Sequence, residues 1–261
     1  MRPSGFALLA AMLGPAAQAA EQARDIVSLA PNLTQMVSAL GRADRLLAVT
    51  PFCEAPATAR RLSGGLQPEA EEVFALHPSV VLATSMTPEA TRRQLESLGL
   101  RVEVVDAASL EGIREAMRRL ALLLDVPDPV RTPSARTPQE GPSVLLLFGA
   151  DTGYSAGRGT HADEILQAAG LRNIAAHAGG PWPQLSEEVI LAADPDIIIV
   201  ADYGSSTREQ ALSSLLAHPV RRHLNAVRHG HVFVFPAPAF SVPGPAALEA
   251  AEQLRARLEG P

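Results

Sequence analysis

The chain has 261 residues, a formal net charge of −6 and aromatic residues at only 4% of its positions. Basic and acidic side chains are mixed without a basic stripe, which argues against a nucleic-acid-binding protein. The length fits one large domain or two lobes of ordinary size, with enough apolar material for a core.

Residues 1–19 have the features of a secretory signal peptide. Arg2 supplies the positive start, residues 6–13 the apolar stretch, and Ala17-Gln18-Ala19 a small-residue cleavage site. The apolar stretch is too short to span a membrane. We therefore expect a mature chain that begins near Ala20 and is exported to the periplasm in soluble form.

Cys53 is the only cysteine, so the chain forms no internal disulfide. It lies far from the predicted cleavage site, where a lipid-anchoring cysteine would stand. We therefore expect a free periplasmic protein rather than a lipoprotein. Cys53 itself is interpreted as a small packed residue rather than a nucleophile.

Residues 24–108 are predicted to form an N-terminal α/β lobe. Short apolar strands alternate with helices here, which is typical of a parallel sheet covered by helices on its faces. The predicted strands cover residues 25–29, 45–49, 80–83 and 101–105, and the predicted helices begin at Pro31, near Glu69 and at Pro88.

Residues 109–142 are predicted to be a bridging helix followed by a proline-rich linker. Apolar side chains recur on one face from Ser109 to Leu124, and the helix ends before Pro127. Five prolines lie between residues 127 and 142, so this stretch is interpreted as the linker.

Residues 143–261 are predicted to form a C-terminal α/β lobe. It opens with a strand over residues 143–148, and Thr160 with Asp163 predicts the N-cap of a helix that runs to Ala169. A strand over residues 231–235 and a terminal helix over residues 246–258 complete the predicted elements.

An internal repeat relates the two halves of the chain. Residues 71–82 and 188–199 align on Pro78 and Pro195, and each copy begins with a glutamate and ends with a β-branched run. Each copy predicts a short helix that ends before the proline, followed by a strand that is buried on both faces. A repeat at this separation predicts two similar lobes with a ligand cleft between them.

Candidate ligand residues follow the predicted strands, because ligands of open α/β sheets gather at the carboxyl ends of strands. Aromatic side chains in these loops predict a wall for a large, flat ligand. These residues are Phe52, Tyr154, Tyr203 and Phe240, with Trp182 in a loop of its own just ahead of the second copy of the repeat. The alternative is that two or three of them only pack their loops against the core, as we expect of Phe52 and Phe240 and less of Trp182.

The segment Gly153-Tyr154-Ser155-Ala156-Gly157 matches the nucleophile elbow of serine hydrolases. That motif needs a strand directly before it and a helix directly after the serine, and four residues separate the predicted strand from Gly153. A flexible glycine-rich binding loop is the preferred interpretation. An exported serine hydrolase that uses Ser155 is the alternative from another functional class.

No metal site or cofactor is predicted from the seven histidines, since no two have the i, i+4 spacing of a metalloprotease helix. A metal-ion binder remains a third possibility.

Glu71 and Glu188 are more informative, because each begins its copy of the repeat near a helix N-terminus, where a carboxylate is favoured. Capping alone could explain either one. The alternative is that the two glutamates are equivalent acidic surface sites that bind arginines on a pseudo-symmetric partner.

With these residues, the chain resembles the periplasmic substrate-binding proteins of ABC importers for cobalamin, haem and ferric siderophores. The resemblance implies two Rossmann-like lobes with parallel sheets, a single bridging helix, a ligand cleft between the lobes and no enzymatic activity. The segments that carry it are 26–34, 40–50, 52–56, 157–160, 169–173 and 182–186.

Residues Trp182-Pro183-Gln184-Leu185-Ser186 are most similar to the cobalamin-binding branch, in which the tryptophan faces the corrinoid. The resemblance therefore implies a corrinoid ligand, with haem or a ferric siderophore as the alternative within the family. Glu71 and Glu188 match the family's permease-docking glutamates, so the implied partner of the monomer is an ABC permease dimer. The implied ligand residues are Pro31, Asn32, Phe52, Glu54, Thr84, Tyr154, Trp182, Tyr203, Phe240 and Ser241.

Overall fold

A computed structural model of the chain describes residues 24–65, 67–127, 141–204 and 206–259. The predicted signal peptide and most of the predicted linker, residues 128–140, lie outside the described residues. The described residues divide into two compact units. Unit 1 comprises residues 24–106 and 116–127, and unit 2 comprises residues 107–115 and 141–259.

Unit 1 contains a parallel sheet with the strand order β3-β2-β1-β4-β5. Val27 stands opposite Ala48 on one side and Val81 on the other, and all three side chains are fully buried. The central strands are therefore apolar on both faces, as the sequence predicts. The strands are β1 (Ile26–Ser28), β2 (Leu46–Val49), β3 (Arg60–Arg61), β4 (Val80–Ala83) and β5 (Val102–Val104), and the helices are α1 (Pro31–Ala39), α2 (Ala70–Phe74) and α3 (Glu89–Ser97).

The amphipathic helix after β5 is α4 (Leu110–Leu123). The Ser109 hydroxyl accepts a hydrogen bond from the Gly112 amide at 2.9 Å, so a serine caps the helix start. The helix ends before Asp125, whose φ of 53° lies in the left-handed region. The predicted helix over residues 109–124 is therefore present, while the proposed domain boundaries at residues 108 and 143 stay a prediction.

Unit 2 contains a parallel sheet with the strand order β7-β6-β8-β9. Leu146 stands opposite Ile199 in its centre, and both are fully buried. The strands are β6 (Ser143–Phe148), β7 (Arg172–Asn173), β8 (Ile197–Asp202) and β9 (Val232–Pro236). The helices are α5 (His161–Ala168), α6 (Glu187–Ala193), α7 (Arg208–Ala217), α8 (Asn225–Arg228), α9 (Pro238–Ser241) and α10 (Pro245–Glu259).

The sequence repeat is also a structural repeat. The first copy forms α2 and β4 in unit 1, and the second forms α6 and β8 in unit 2. His77 and Asp194, which precede the two prolines, both adopt positive φ, at 50° and 37°. Val73 and Ile190 occupy the same position in the two helices and are fully buried. Each unit is therefore built around the same helix, turn and buried strand.

Within the described residues, no helix combines the length and the apolar character that a membrane span requires.

Candidate ligand-binding ribbon and docking helices

Two extended segments of unit 2 pair antiparallel just beyond β6. The Ser155 amide donates to the Pro183 carbonyl at 2.9 Å, and the Leu185 amide donates to the Gly153 carbonyl at 2.9 Å. Tyr154 therefore stands directly opposite Gln184. We call residues 153–157 and 181–185 together the ribbon.

Side chains of the ribbon alternate between its two faces, as they do along any extended backbone. Tyr154 is 51% exposed and Trp182 44% exposed, and both belong to the same face as Gln184 by this alternation. Ser155 and Leu185, on the other face, are buried. The two aromatic residues predicted from sequence for this region thus belong to the same face of the ribbon, and both are partly exposed.

The two glycines of the hydrolase-like motif allow the ribbon to form. A Cβ atom on Gly153 would lie 2.5 Å from the Leu185 carbonyl oxygen, and one on Gly157 would lie 2.2 Å from the Gly180 carbonyl oxygen. Both distances are too short for any side chain, so only glycine permits this approach of the two backbones. Residues 153–157, predicted to be a flexible glycine-rich loop, are held to residues 181–185 by backbone hydrogen bonds around an isolated antiparallel bridge.

Ser155 lacks the surroundings of a catalytic nucleophile. Its side chain is 1% exposed, and its hydroxyl has no hydrogen-bond partner among the described residues. A nucleophilic serine needs a base within hydrogen-bond reach and access to substrate. The motif is therefore explained by backbone packing in the ribbon.

Trp182 packs edge-to-face against two rings of unit 2. Its ring centroid lies 5.7 Å from that of Phe148 at an interplanar angle of 67°, and 6.0 Å from that of His161 at 63°. Edge-to-face contacts of this kind favour one orientation of the indole. Because 44% of the residue remains exposed, the supported ring is available to a ligand.

His161 contributes to this support, although the sequence gives no reason to select it. It is the first residue of α5 and is 3% exposed, and burial lowers the pKa of its imidazole to about 4, while a hydrogen bond with the backbone of Phe240 acts in the opposite direction. The ring is therefore neutral at ordinary pH. Trp182 thus packs against an uncharged imidazole.

The other predicted ligand residues of unit 2 have different environments. Tyr203 is 73% exposed, in a loop held by the Asp202 carboxylate, which accepts from the amides of Gly204 and Ser206 at 2.7 and 2.9 Å. Phe240, in contrast, is fully buried and packs edge-on against Phe235 at 6.1 Å. We therefore leave Phe240 out of the exposed aromatic wall, since its ring belongs to the interior.

Ser241 ends α9, and its hydroxyl donates to the Ala237 carbonyl at 2.9 Å. Its donor is thus already used within the helix, and the side chain is only half-buried. The ribbon follows β6, Tyr203 follows β8 and Ser241 follows β9. These three strands are neighbours in the sheet, so all three features lie beyond its carboxyl ends.

The predicted ligand residues of unit 1 share one edge of its sheet. They follow the carboxyl ends of the neighbouring parallel strands β2, β1 and β4. Phe52 is 62% exposed, Glu54 is exposed and Asn32 is 7% exposed. Pro31 opens α1, and Thr84 directly follows β4, both half-buried.

A cavity of about 630 Å³ in unit 2 does not involve these residues. Its lining combines charges of both signs, including Arg158, Asp163 and Arg172, and includes none of the predicted aromatic residues. We therefore place the candidate ligand surface on the ribbon rather than in this cavity. Among the described residues, no group of three or more His, Cys, Asp or Glu side chains is arranged to hold a metal ion.

The two helices of the repeat each begin with a pair of adjacent glutamates, of which one is bound to its own unit. In α2, Glu72 lies 3.1 Å from Arg60 and accepts from the Ser63 amide at 2.9 Å, and the Ser63 hydroxyl and amide together with Arg60 lower its pKa. In α6, Glu187 pairs with the buried guanidinium of Arg221 at 2.5 Å.

The other glutamate of each pair, Glu71 in α2 and Glu188 in α6, is exposed. Glu71 receives one hydrogen bond from Gln94 at 3.2 Å, and hydrogen bonds from Ser186 and the backbone lower the pKa of Glu188. Neither carboxylate forms an ion pair within the described part of the chain. In each unit, therefore, the carboxylate at this position of the repeat is exposed and is not paired with a cation of the described residues.

The sequence model of the family described as periplasmic binding protein matches residues 26–239 of the chain. The chain belongs to this family. A vitamin B12-binding protein of Salmonella paratyphi A is 30% identical over 213 residues, covering 75% of this chain and 79% of the relative.

Solved structures of other periplasmic binding proteins share the fold. A periplasmic haem-binding protein from Pseudomonas aeruginosa gives a TM-score of 0.69 at 28% identity, covering 90% of this chain and 92% of that one. The periplasmic vitamin B12-binding protein BtuF of Vibrio cholerae gives 0.66 at 24% identity, covering 90% and 96%. The two parallel-sheet α/β units are therefore the fold of this family, as the sequence resemblance implies.

Proposed function

We propose that this periplasmic binding protein captures a corrinoid ligand outside the cytoplasm and delivers it to the permease of an ABC importer. The observation that carries the proposal is the ribbon, which presents a supported tryptophan and a tyrosine on one face. The 30% identical vitamin B12-binding protein of Salmonella paratyphi A supports the same ligand class.

The ribbon suits a large macrocycle for physical reasons. The half-exposed faces of Trp182 and Tyr154 offer apolar area to a flat ring system at low entropic cost, because neighbouring rings already hold the indole. The exposed Gln184 amide on the same face supplies both donors and an acceptor. A corrin ring edged with amide groups matches this combination.

We assign the remaining contacts to the strand-end loops of both units. In this proposal Tyr203 and Ser241 of unit 2, and Pro31, Asn32, Phe52, Glu54 and Thr84 of unit 1, contact the ligand. The protein is proposed to act as a monomer that is exported through its N-terminal signal peptide and carries no lipid anchor.

A haem ligand is the second candidate, and Arg158 is the observation that favours it. This arginine directly follows the ribbon, is exposed and lies 3.2 Å from the His177 ring through its Nη2 atom. A guanidinium in this position can pair with a carboxylate, which haem carries and a neutral corrinoid does not. The haem-binding protein from Pseudomonas aeruginosa, with its TM-score of 0.69, supports the alternative.

Equilibrium dialysis of the mature chain, expressed from Ala20, tests the proposal. We expect retention of cyanocobalamin at micromolar or lower concentration, and a loss of affinity of about tenfold or more in Trp182→Ala, since stacked aromatic area is removed. Leu216→Ala, on the exposed part of α7, is the matched control and should bind normally. If cyanocobalamin does not bind and haemin binds tightly, the corrinoid proposal is refuted and haem becomes the assigned ligand.

A further inference from the structure

An exposed apolar side chain accompanies each exposed glutamate of the repeat, three residues further along the same helix. Phe74 in α2 is 41% exposed, and Leu191 in α6 is 46% exposed. They occupy the same position of the aligned repeat, one turn from Glu71 and Glu188 respectively. Residues three apart on a helix share a face, so charge and apolar group form one surface in each unit.

Packing within each unit does not account for this exposure. The residue directly before each apolar side chain, Val73 in α2 and Ile190 in α6, is fully buried and anchors the helix to its sheet. Single exposed apolar residues are ordinary on a protein surface. Here, however, the exposed apolar group recurs at the same position of both repeats, as a phenyl group in one and an isobutyl group in the other. Each lies beside a carboxylate that forms no ion pair within the described residues, and this recurrence indicates a shared role.

A carboxylate alone would make a weak docking site. A solvent-exposed ion pair contributes about 0–1 kcal/mol and is screened by salt. Burial of apolar area adds a favourable term that salt does not screen. A surface that combines both groups can therefore fix where the partner docks through the charge. It can still bind at periplasmic ionic strength through the buried apolar area.

We propose that Phe74 and Leu191 form, with Glu71 and Glu188, two equivalent two-part docking surfaces, each of which fits a cation beside an apolar socket on the permease. The partner that fits is a two-fold symmetric membrane protein presenting the same arginine-and-socket pair once per subunit. The charge complementarity of the two unneutralised carboxylates supports this choice over a second copy of the chain, whose equivalent surfaces would repel. This inference rests on the proposed delivery to an ABC permease.

The test measures the affinity of the labelled chain for right-side-out inner-membrane vesicles that contain the cognate ABC permease, with permease-free vesicles as the blank. The double variant Phe74→Ser/Leu191→Ser should dock at least about tenfold more weakly at both 0.15 M and 0.5 M salt. Its cyanocobalamin affinity should be unchanged. The matched control, Leu122→Ser/Leu216→Ser, removes two exposed apolar side chains elsewhere, one in each unit, and should dock normally.

A second double variant separates the two proposals. If Glu71→Lys/Glu188→Lys abolishes docking while Phe74→Ser/Leu191→Ser docks as tightly as the unmodified chain, the apolar contribution is refuted and the permease-docking function stands. If charge reversal also leaves docking unchanged, the docking role of these helices is refuted altogether.

Discussion

The guanidinium of Arg221 is buried against the carboxylate of Glu187, with its Nε atom 3.1 Å and its Nη2 atom 2.5 Å from Oε1. The same guanidinium donates through Nη1 to the Ala150 carbonyl at 2.7 Å. Arg221 therefore ties the start of α6, which carries Glu188, to the loop that leads from β6 into the ribbon. The proposed docking helix and the proposed ligand surface are held by one side chain.

Replacing Arg221 by Met should destabilise unit 2 by about 2–4 kcal/mol, because Glu187 and the Ala150 carbonyl lose their charged partner. The Arg221 side chain is 2% exposed and that of Glu187 is 32% exposed, so partial solvation of the glutamate limits the loss. Thermal unfolding should show a fall in Tm of several degrees. Arg222→Met, at an exposed neighbouring position, should leave Tm nearly unchanged, and equal Tm values for the two variants would contradict this role.

Gly157→Ala should open the ribbon, because the added methyl group would meet the Gly180 carbonyl oxygen at 2.2 Å. We expect lower stability and at least about tenfold weaker cyanocobalamin binding, since Trp182 loses its fixed position. Gly99→Ala is the control, with a φ of 82° but no atom within 4 Å of the added Cβ. It should cost about 1 kcal/mol of stability and leave ligand affinity intact.

His161 should make the protein less stable in acid. Its pKa is lowered from 6.5 to about 4 in the fold, so the unfolded chain takes up the proton first as the pH falls. The stability contributed by the neutral imidazole is fully present above pH 6.5 and is lost progressively toward pH 4. One unit of pKa corresponds to about 1.4 kcal/mol, so the loss reaches about 3 kcal/mol at pH 4.

Urea denaturation between pH 7.5 and 4 measures this dependence. His161→Gln should show a flatter pH profile than the unmodified chain, whereas His177→Gln, at an exposed position, should keep the full dependence. Identical profiles for all three proteins would show that His161 does not titrate in this way.

Arg158→Gln should separate the two candidate ligands. Loss of the guanidinium removes a partner for carboxylates but leaves the aromatic face of the ribbon in place. Haemin affinity should fall by about tenfold, while cyanocobalamin affinity stays within about twofold. Equal losses for both ligands would show that Arg158 supports the ribbon rather than selecting a ligand.

Strong local signals in the sequence predict much of the fold. Thr160 caps α5 as expected, with its hydroxyl accepting from the Asp163 amide at 3.1 Å, and the repeat correctly predicts a helix and a buried strand in each unit. These features depend on spacing within a few residues, which the sequence displays directly.

Elements that depend on distant partners are not predicted. The edge strands Arg60–Arg61 and Arg172–Asn173 carry no apolar pattern and are extended because they pair with β2 and β6. The ribbon joins segments about 28 residues apart in sequence. From the sequence alone its glycines indicate a flexible loop, because the close approach of Leu185 and Gly180 depends on the tertiary fold. Helix α7 is a different case, because it has a local sequence signal. Thr207 and Gln210 form a capping box at its start, yet this helix is missing from the predicted elements.

Fluorescence of Trp182 tests corrinoid binding at the ribbon most directly, because it is the only tryptophan in the chain. The mature protein is titrated in turn with cyanocobalamin, haemin and a ferric hydroxamate, with corrections for inner-filter absorption. We predict saturable quenching by cyanocobalamin at micromolar or lower concentration and a loss of that response in Gly157→Ala. Unchanged emission with all three ligands would contradict a ligand site at the ribbon.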